Sequence, residues 1–136
     1  MNAVKLILGQ KIVGIYESIN QDFGGLDEAE VFIQLENEEL FEFPIQFTTW
    51  HHAEPEAIRG LENVKEELFN NHDCVITDII KLNEYWEDIY VELDETMLFT
   101  LDSVAPNGSM AAGIITHPNL DSFEKREGTN YRRLSR

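Results

Sequence analysis

The chain has 136 residues, of which 43% are hydrophobic and 10% aromatic, and its formal net charge is −16. These values are typical of one globular domain that buries about two-thirds of its unfolded surface, and they exclude a disordered chain. The negative charge disfavours nucleic-acid binding, because that binding depends on Lys and Arg side chains that neutralise phosphates.

Segments that would direct the chain to a membrane are not expected. No apolar run approaches the ~18 residues of a membrane span, and the first residues carry too short an apolar stretch for a signal peptide. The single cysteine, Cys74, excludes an internal disulfide and fits a reducing compartment. We therefore predict a cytoplasmic protein with one domain, residues 1–136.

The charge is unevenly distributed along the chain. Residues 1–123 carry 24 of the 26 acidic residues and 5 of the 10 basic ones, whereas residues 124–136 have a net charge of +3. A body this acidic is expected to attract basic protein surfaces and to speed the encounter with them. The alternative reading of the charge is solubility alone.

The first half of the chain predicts a short apolar element at residues 4–8, a strand at 12–16 and a polar loop at 18–29. Residues 31–43 then alternate between apolar and polar side chains with the two-residue period of a half-buried strand, interrupted by the acidic stretch 36–39. This pattern predicts a β-hairpin with an acidic turn. Its apolar face, Val31, Ile33, Leu35 and Phe41, is expected in the core, and residues 45–48 are expected to extend the second strand.

Residues 55–70 give the strongest helical pattern in the chain. Pro55 suits a first helical position, and Ile58, Leu61, Val64 and Leu68 recur at three- and four-residue spacing. Gly60 is expected to weaken this helix by ~1 kcal/mol relative to alanine.

A second hairpin repeats the pattern of the first. At a constant offset of 58 residues, Leu35, Leu40 and Phe41 fall on Leu93, Leu98 and Phe99, and the strand predicted at 74–80 resembles that at 12–16 at an offset of 64. The fold class is therefore predicted as α+β, mainly antiparallel β, with two pseudo-repeated three-stranded meanders. These halves are residues 4–48 and 74–101, and the 55–70 helix links them.

The last part of the chain has a looser pattern. Residues 111–116 are consistent with a seventh strand, which His117-Pro118-Asn119 ends. The basic C-terminal segment, residues 124–136, is expected to be an edge hairpin held against the acidic body or an end that frays.

Candidate sites for metal binding or catalysis are weak. His51-His52 with Glu54 and Glu56, and His72-Asp73-Cys74, supply zinc-type ligands but no recognised ligand spacing. Cys74 begins an apolar strand, where an inert buried thiol is expected. No Gly-x-Ser-x-Gly motif is present, and Gly24-Gly25 lacks the lysine of a phosphate loop. The sequence thus predicts a protein that is not an enzyme and binds no metal or cofactor.

A protein-binding surface is the better-supported site. Acidic side chains gather at the predicted hairpin ends, and one group surrounds two aromatic residues, which suits a contact with a basic partner. The candidate partner-binding residues are Glu36, Glu38, Glu39, Glu84, Tyr85, Trp86, Glu87, Asp88, Glu92, Asp94 and Glu95, with Trp50 as a further candidate anchor. A turn whose rings fold over the sheet edge is the alternative for Tyr85 and Trp86.

The alternation also predicts a flat polar face on the sheet. Gln34 and Glu42 correspond to Glu92 and Thr100 in the second hairpin. If the inner face is apolar throughout, these four side chains are expected to project toward solvent.

The sequences Gly-Gln-Lys-Ile-Val-Gly-Ile-Tyr (9–16), Glu-Val-Phe-Ile-Gln-Leu-Glu-Asn-Glu (30–38) and Phe-Glu-Phe-Pro (41–44) carry a resemblance. In a small acidic α+β protein they resemble the immunity proteins of bacterial polymorphic toxin and contact-dependent growth inhibition systems. The resemblance implies a protein that binds one cognate toxin, often a nuclease, and blocks its active site or substrate groove. It assigns no functional residue by position.

Two alternatives stay open at this point. One is a small regulatory or ligand-binding domain without a toxin partner, holding its ligand between the two repeats near Trp50 and His51. The other is a phage-type inhibitor of a host nuclease, which would use the same charge complementarity as an immunity protein.

Overall fold

The computed structural model describes residues 3–21, 27–43, 45–70, 72–82, 89–102 and 113–135. Its strands within these ranges are β1 Ile12–Gln21, β2 Asp27–Leu35, β3 Leu40–Phe43, β4 Ile76–Lys81, β5 Ile89–Leu93, β6 Met97–Asp102, β7 Gly113–His117 and β8 Arg132–Arg133. Its helices are α1 Ala3–Ile7, α2 Ile45–Thr49, a 3₁₀ helix Pro55–Ile58, α3 Lys65–Phe69 and α4 Leu120–Glu127.

The strands form two antiparallel sheets. The first sheet has the order β1-β2-β3, and the second has the order β7-β6-β5-β4-β8. Each therefore contains a meander of three consecutive strands. The predicted class, α+β and mainly antiparallel β, is confirmed.

The two sheets are joined where β1 and β4 begin. Lys11 and Val75 form an antiparallel bridge. The Ile12 amide donates to the Cys74 carbonyl at 3.0 Å, and the Ile76 amide donates to the Gln10 carbonyl at 2.9 Å. These two bonds tie the first strands of the two meanders side by side at one end of the molecule.

The registers of the two meanders coincide. Ile12 pairs with Leu35 and Ile76 pairs with Leu93, and in both cases the register shifts immediately after that pair. The shift leaves Val13 in β1 and the equivalent Thr77 in β4 as the extra residue of a bulge.

One core lies between the inner faces of the two sheets. The predicted core residues Val31, Ile33, Leu35 and Phe41 are all buried, which confirms that prediction. The same cluster contains residues of β4, β5 and β6 and of the short helices, and the rings of Phe43 and Phe99 lie 5.6 Å apart across it. The period-two alternation of the hairpins thus follows from burial of one face.

The outer face of the second sheet is also covered. Ile80, Tyr90 and Leu98 point to this side and form a second buried cluster with Phe123 of α4. The Phe123 ring meets Tyr90 edge-on at 4.8 Å. Helix α4 therefore serves as the cover of this face.

The predicted 55–70 helix is wrong as a continuous element. Gly60 has a φ of +80°, which no right-handed helix accommodates, and residues 59–64 are not helical. Instead, Asn63 bridges Tyr16, and the Val64 amide donates to the Ile15 carbonyl at 2.8 Å. Hydrogen bonds to the edge of β1 therefore outweigh the local helical pattern.

Several predicted strands and loops also differ from the structure. Residues 45–48 lie in α2 rather than in a strand, and β1 and β2 extend into the predicted loop 18–29. The apolar element predicted at residues 4–8, whose type the sequence leaves open, is mostly the helix α1. The predicted seventh strand is confirmed where it overlaps β7.

The predicted C-terminal hairpin is wrong. Helix α4 begins after Asn119, whose side chain accepts a hydrogen bond from the Ser122 amide at 2.8 Å, and it ends at Gly128 with a φ of +86°. An asparagine at the N-cap and a glycine after the last turn are common signals for the start and the end of a helix. The chain then returns as β8 along the edge of β4.

Candidate functional site

The two acidic hairpin turns lie at the same end of the molecule. The Glu36 amide donates to the Lys11 carbonyl at 2.9 Å, and the Asp94 amide donates to the Val75 carbonyl at 2.9 Å. Because Lys11 and Val75 bridge each other, four backbone segments lie side by side. At ~4.8 Å between neighbours, the two turns are about 14 Å apart.

These turns and the segment between them form one surface, which we name the acidic strip. Its members are Glu36, Glu38, Glu39, Asp73, Asp94 and Glu95. Lys11, at its centre, is the basic residue among these segments, and its Nζ lies 3.9 Å from Asp73 Oδ1. The sequence predicted the two acidic turns, and the strand pairing brings them together.

The first turn holds Glu38 in an unusual backbone conformation. The Glu38 amide donates to the Leu35 carbonyl, and the Leu35 amide donates to the Glu39 carbonyl, both at 2.9 Å. Glu38 has a φ of +73°, a left-handed position that glycine normally occupies in a three-residue hairpin loop. Glu36 and Glu38 are exposed, so both carboxylates are displayed to solvent.

The second turn is more firmly anchored. Asp94 and Glu95 both have positive φ, as in the type I′ turns that favour Asn-Gly. The Asp94 carboxylate accepts hydrogen bonds from the Cys74 and Val75 amides at 3.0 and 2.8 Å. Asp94 therefore shapes the turn, whereas Glu95 is exposed and available for contact.

Glu39 is only partly displayed. Its Oε1 lies 3.8 Å from His52 Nε2, while its Oε2 is enclosed and has no hydrogen-bond partner among the described residues. Trp50, the candidate anchor, packs on Phe41 with ring centroids 4.8 Å apart and is half-buried. Much of the indole thus contributes to the core rather than to the surface.

Glu92 does not face solvent, and neither does Thr100. Glu92 is 6% exposed, its Oε2 accepts from Arg133 Nη1 at 2.9 Å, and its Oε1 accepts from the Thr77 hydroxyl at 2.9 Å. Thr100 donates to the Ile89 carbonyl at 2.6 Å. The predicted polar face is therefore wrong for the second sheet, because α4 packs on it and Arg133, from the edge strand β8, binds Glu92.

On the first sheet, Gln34 and Glu42 are half-buried rather than fully exposed. Burial raises the pKa of Glu42, and the nearby Glu30 raises it further.

The remaining candidates, Glu84, Tyr85, Trp86, Glu87 and Asp88, lie outside the described residues.

The buried Asp78–Arg133 pair was missed by sequence reasoning. Arg133 Nη1 lies 3.0 Å from Asp78 Oδ2, and the Ser135 hydroxyl donates to the same oxygen at 2.9 Å. Burial by itself lowers the pKa of Arg133, but hydrogen bonds to Glu92 and Asp78 outweigh it and raise the pKa. The available signal was an aspartate inside the apolar run Val75–Ile80.

The candidate metal ligands do not converge. Within the described parts of the chain, no three His, Cys, Asp or Glu residues are placed to hold a metal ion. Cys74 is fully buried, and burial raises the pKa of its thiol to about 11, although Lys65 lowers it in part. The thiol is therefore protonated at neutral pH, and its position confirms a buried sulfur.

Comparisons with protein-family models, curated proteins and solved structures find no match to this chain. None of the described helices has the length and apolar character needed to cross a membrane.

Proposed function

We propose that this protein is an immunity or inhibitor protein, without catalytic activity, that acts in the cytoplasm by binding a toxin. The acidic strip occupies the basic active-site or substrate groove of that toxin, and a nuclease is the favoured class. Carboxylates on the strip pair with the Lys and Arg side chains that otherwise hold phosphates. The toxin is thereby inhibited by occlusion.

The observation that carries this proposal is the joining of two acidic turns through the Lys11–Val75 bridge. Neither turn alone presents more than a few carboxylates, but together they span about 14 Å. A nuclease groove that holds one strand over this length must bind about four phosphates, because the phosphates of each B-DNA strand are ~3.4 Å apart along the helix axis. The strip therefore offers charge complementarity over the span that such a groove requires.

The backbone at these turns supports a role beyond solubility. Glu38 and Glu95 occupy left-handed positions, which cost a non-glycine residue about 1–2 kcal/mol. A surface selected only for stability favours glycine there. Side chains that remain at strained positions are often functional, and here both carry carboxylates at the tips of the strip.

The finer description of the fold, a true internal repeat, is also a proposal. It is supported by the matching bulges after Ile12 and Ile76. It is also supported by two hydrogen bonds at equivalent positions, from the Glu36 amide to the Lys11 carbonyl and from the Asp94 amide to the Val75 carbonyl. In this view, the duplication placed the two acidic turns next to each other.

The test uses a candidate nuclease toxin domain, which is sought first among the products of the neighbouring genes. We expect co-expression of the 136-residue chain to restore growth of cells that produce this domain, and the purified pair to form a complex. Association should slow steeply as salt is added, because the exposed carboxylates steer the encounter. An absence of both protection and complex formation would reject the proposal.

Charge reversal locates the binding surface. The triple variant Glu36→Lys, Glu38→Lys, Glu95→Lys changes three exposed carboxylates of the acidic strip, and we expect it to slow association by about tenfold or more. The matched control, Glu62→Lys, Glu67→Lys, Asp121→Lys, makes the same net charge change at exposed positions outside the strip. Equal slowing by both variants would show that only net charge matters.

A further inference from the structure

A cleft of about 670 Å³ lies between the end of β7 and helix α4. Thr116 and His117 line it from the strand. Ser122, Lys125 and Arg126 line it from the helix, where three- and four-residue spacing places them on one face. The cleft is thus bordered by hydroxyl, imidazole, ammonium and guanidinium groups.

The charge of this cleft differs from that of the rest of the protein. Lys125 and Arg126 face a single carboxylate, Asp121, among the lining residues. Lys125 makes no ion pair with any residue that the structure describes, and Arg126 pairs only through Nε, which lies 3.5 Å from Glu127 Oε1. The residues that line the cleft thus carry two cations and one carboxylate, in a chain whose formal net charge is −16.

His117 forms the buried side of this cleft. The residue is 5% exposed, and its Nδ1 lies 3.4 Å from the Ser122 hydroxyl. Its Nε2 is enclosed and has no hydrogen-bond partner in the described part of the chain, which is uncommon for a buried polar atom. The rings of Tyr90 and Phe123, each within 6 Å, hold the imidazole in place.

We propose that this cleft binds a small oxyanion, specifically the phosphate group of a small molecule. Lys125 and Arg126 supply charge-assisted hydrogen bonds, and the Ser122 hydroxyl supplies a neutral donor on the same helix face. A metal cation is disfavoured by the two positive side chains. A nucleic acid is disfavoured by the acidic body, which repels a long polyanion but can admit one small anion.

The test is a titration of the whole protein with inorganic phosphate, with sodium chloride at matched ionic strength as the reference. NMR signals of the amides of residues 116–126 and of the His117 ring report binding at the cleft. We expect saturable shifts confined to these groups. We also expect phosphate to raise the pKa of His117, because a bound anion favours the imidazolium, whereas burial and, to a smaller extent, Arg126 lower it in the free protein.

Two double variants make the result specific. Lys125→Gln with Arg126→Gln should weaken phosphate binding at least tenfold, since two charge-assisted contacts are lost. The control, Lys5→Gln with Arg59→Gln, removes the same charge at exposed positions on other elements and should bind like the wild type. Shifts that do not saturate, or that weaken equally in both variants, would overturn the proposal.

Discussion

The two meanders have the same register but differ on their outer faces. At equivalent positions the first sheet carries Gly14 and Gln34, and the second carries Asp78 and Glu92. In the first sheet, the ring of Tyr16 lies over Gly14, and its hydroxyl donates to Gln34 Oε1 at 3.4 Å. In the second sheet, the carboxylates are buried and bound by Arg133 of the edge strand β8.

This difference shows how one strand arrangement supports two kinds of outer surface. The second sheet tolerates buried carboxylates because the C-terminal segment returns with a compensating guanidinium and with Phe123. The first sheet uses a tyrosine that folds down onto a glycine. The segment 113–135 therefore contributes mainly to the second sheet, and the two sheets should respond differently to mutation.

The largest effect is expected at Arg133. The Arg133→Ala variant leaves Asp78 and Glu92, 2% and 6% exposed, without their cation. We expect the free energy of unfolding to fall by about 3–5 kcal/mol, because an uncompensated buried charge is strongly destabilising. Urea unfolding at neutral pH measures this loss.

The neighbouring Arg132 provides the matched control. It lies in the same short strand β8 but is exposed, so Arg132→Ala should change stability by no more than about 0.5 kcal/mol. A loss below 1 kcal/mol for Arg133→Ala would contradict the comparison. It would mean that β8 detaches and water hydrates both carboxylates.

The next largest effect is expected at Gly14. A Cβ added there would lie 2.7 Å from Cε2 of Tyr16, so the tyrosine ring must move. We expect Gly14→Ala to lower the free energy of unfolding by about 1–2 kcal/mol through overpacking. In a Tyr16→Ala background the same substitution should have little effect. Additive losses would show that the ring is not what limits residue 14.

The strands were predictable from the sequence because their core faces repeat every second residue. The period-two apolar pattern in the sequence matches the buried face of the strand for Val31, Ile33 and Leu35 of the first meander. The same holds for their counterparts in β5. A local pattern is sufficient where one sheet face is buried along its whole length.

The remaining features depend on contacts between distant residues. The 55–70 helix is broken because Asn63 and Val64 bond to β1, some 48 residues earlier in the chain. Likewise, Arg133 reaches Asp78 across 55 residues. The acidic strip exists only because Lys11 meets Val75. The sequence alone predicted which residues are acidic at each turn but not that the turns are neighbours.

The two acidic turns allow a further test of the comparison. We expect Glu38→Gly and Glu95→Gly each to raise the free energy of unfolding by about 1 kcal/mol, because glycine relieves the left-handed strain. If the acidic strip binds the toxin, the same variants should weaken the complex. Glu36→Gly is the control, since residue 36 has no positive φ and should gain no stability.

The smallest expected effect is a pH dependence that belongs to the second sheet alone. Burial lowers the pKa of His117 below its ordinary value near 6.5, and Arg126 lowers it further, although Glu127 opposes this. Between that ordinary value and the folded-state pKa, the unfolded chain binds a proton that the folded chain does not. The contribution of His117 is therefore fully present above pH 6.5 and is lost as the pH falls toward the folded-state pKa.

Unfolding curves from pH 7.5 to about pH 5.5 should thus show a decline in stability that His117→Phe removes. The raised pKa of Glu42 in the first sheet makes stability rise as the pH falls. This contribution is the same in the wild type and in His117→Phe, so it cancels when their unfolding free energies are compared. His72→Gln, at an exposed position, should keep the wild-type decline. If His117→Phe also kept it, the pH dependence would arise outside the cover of the second sheet.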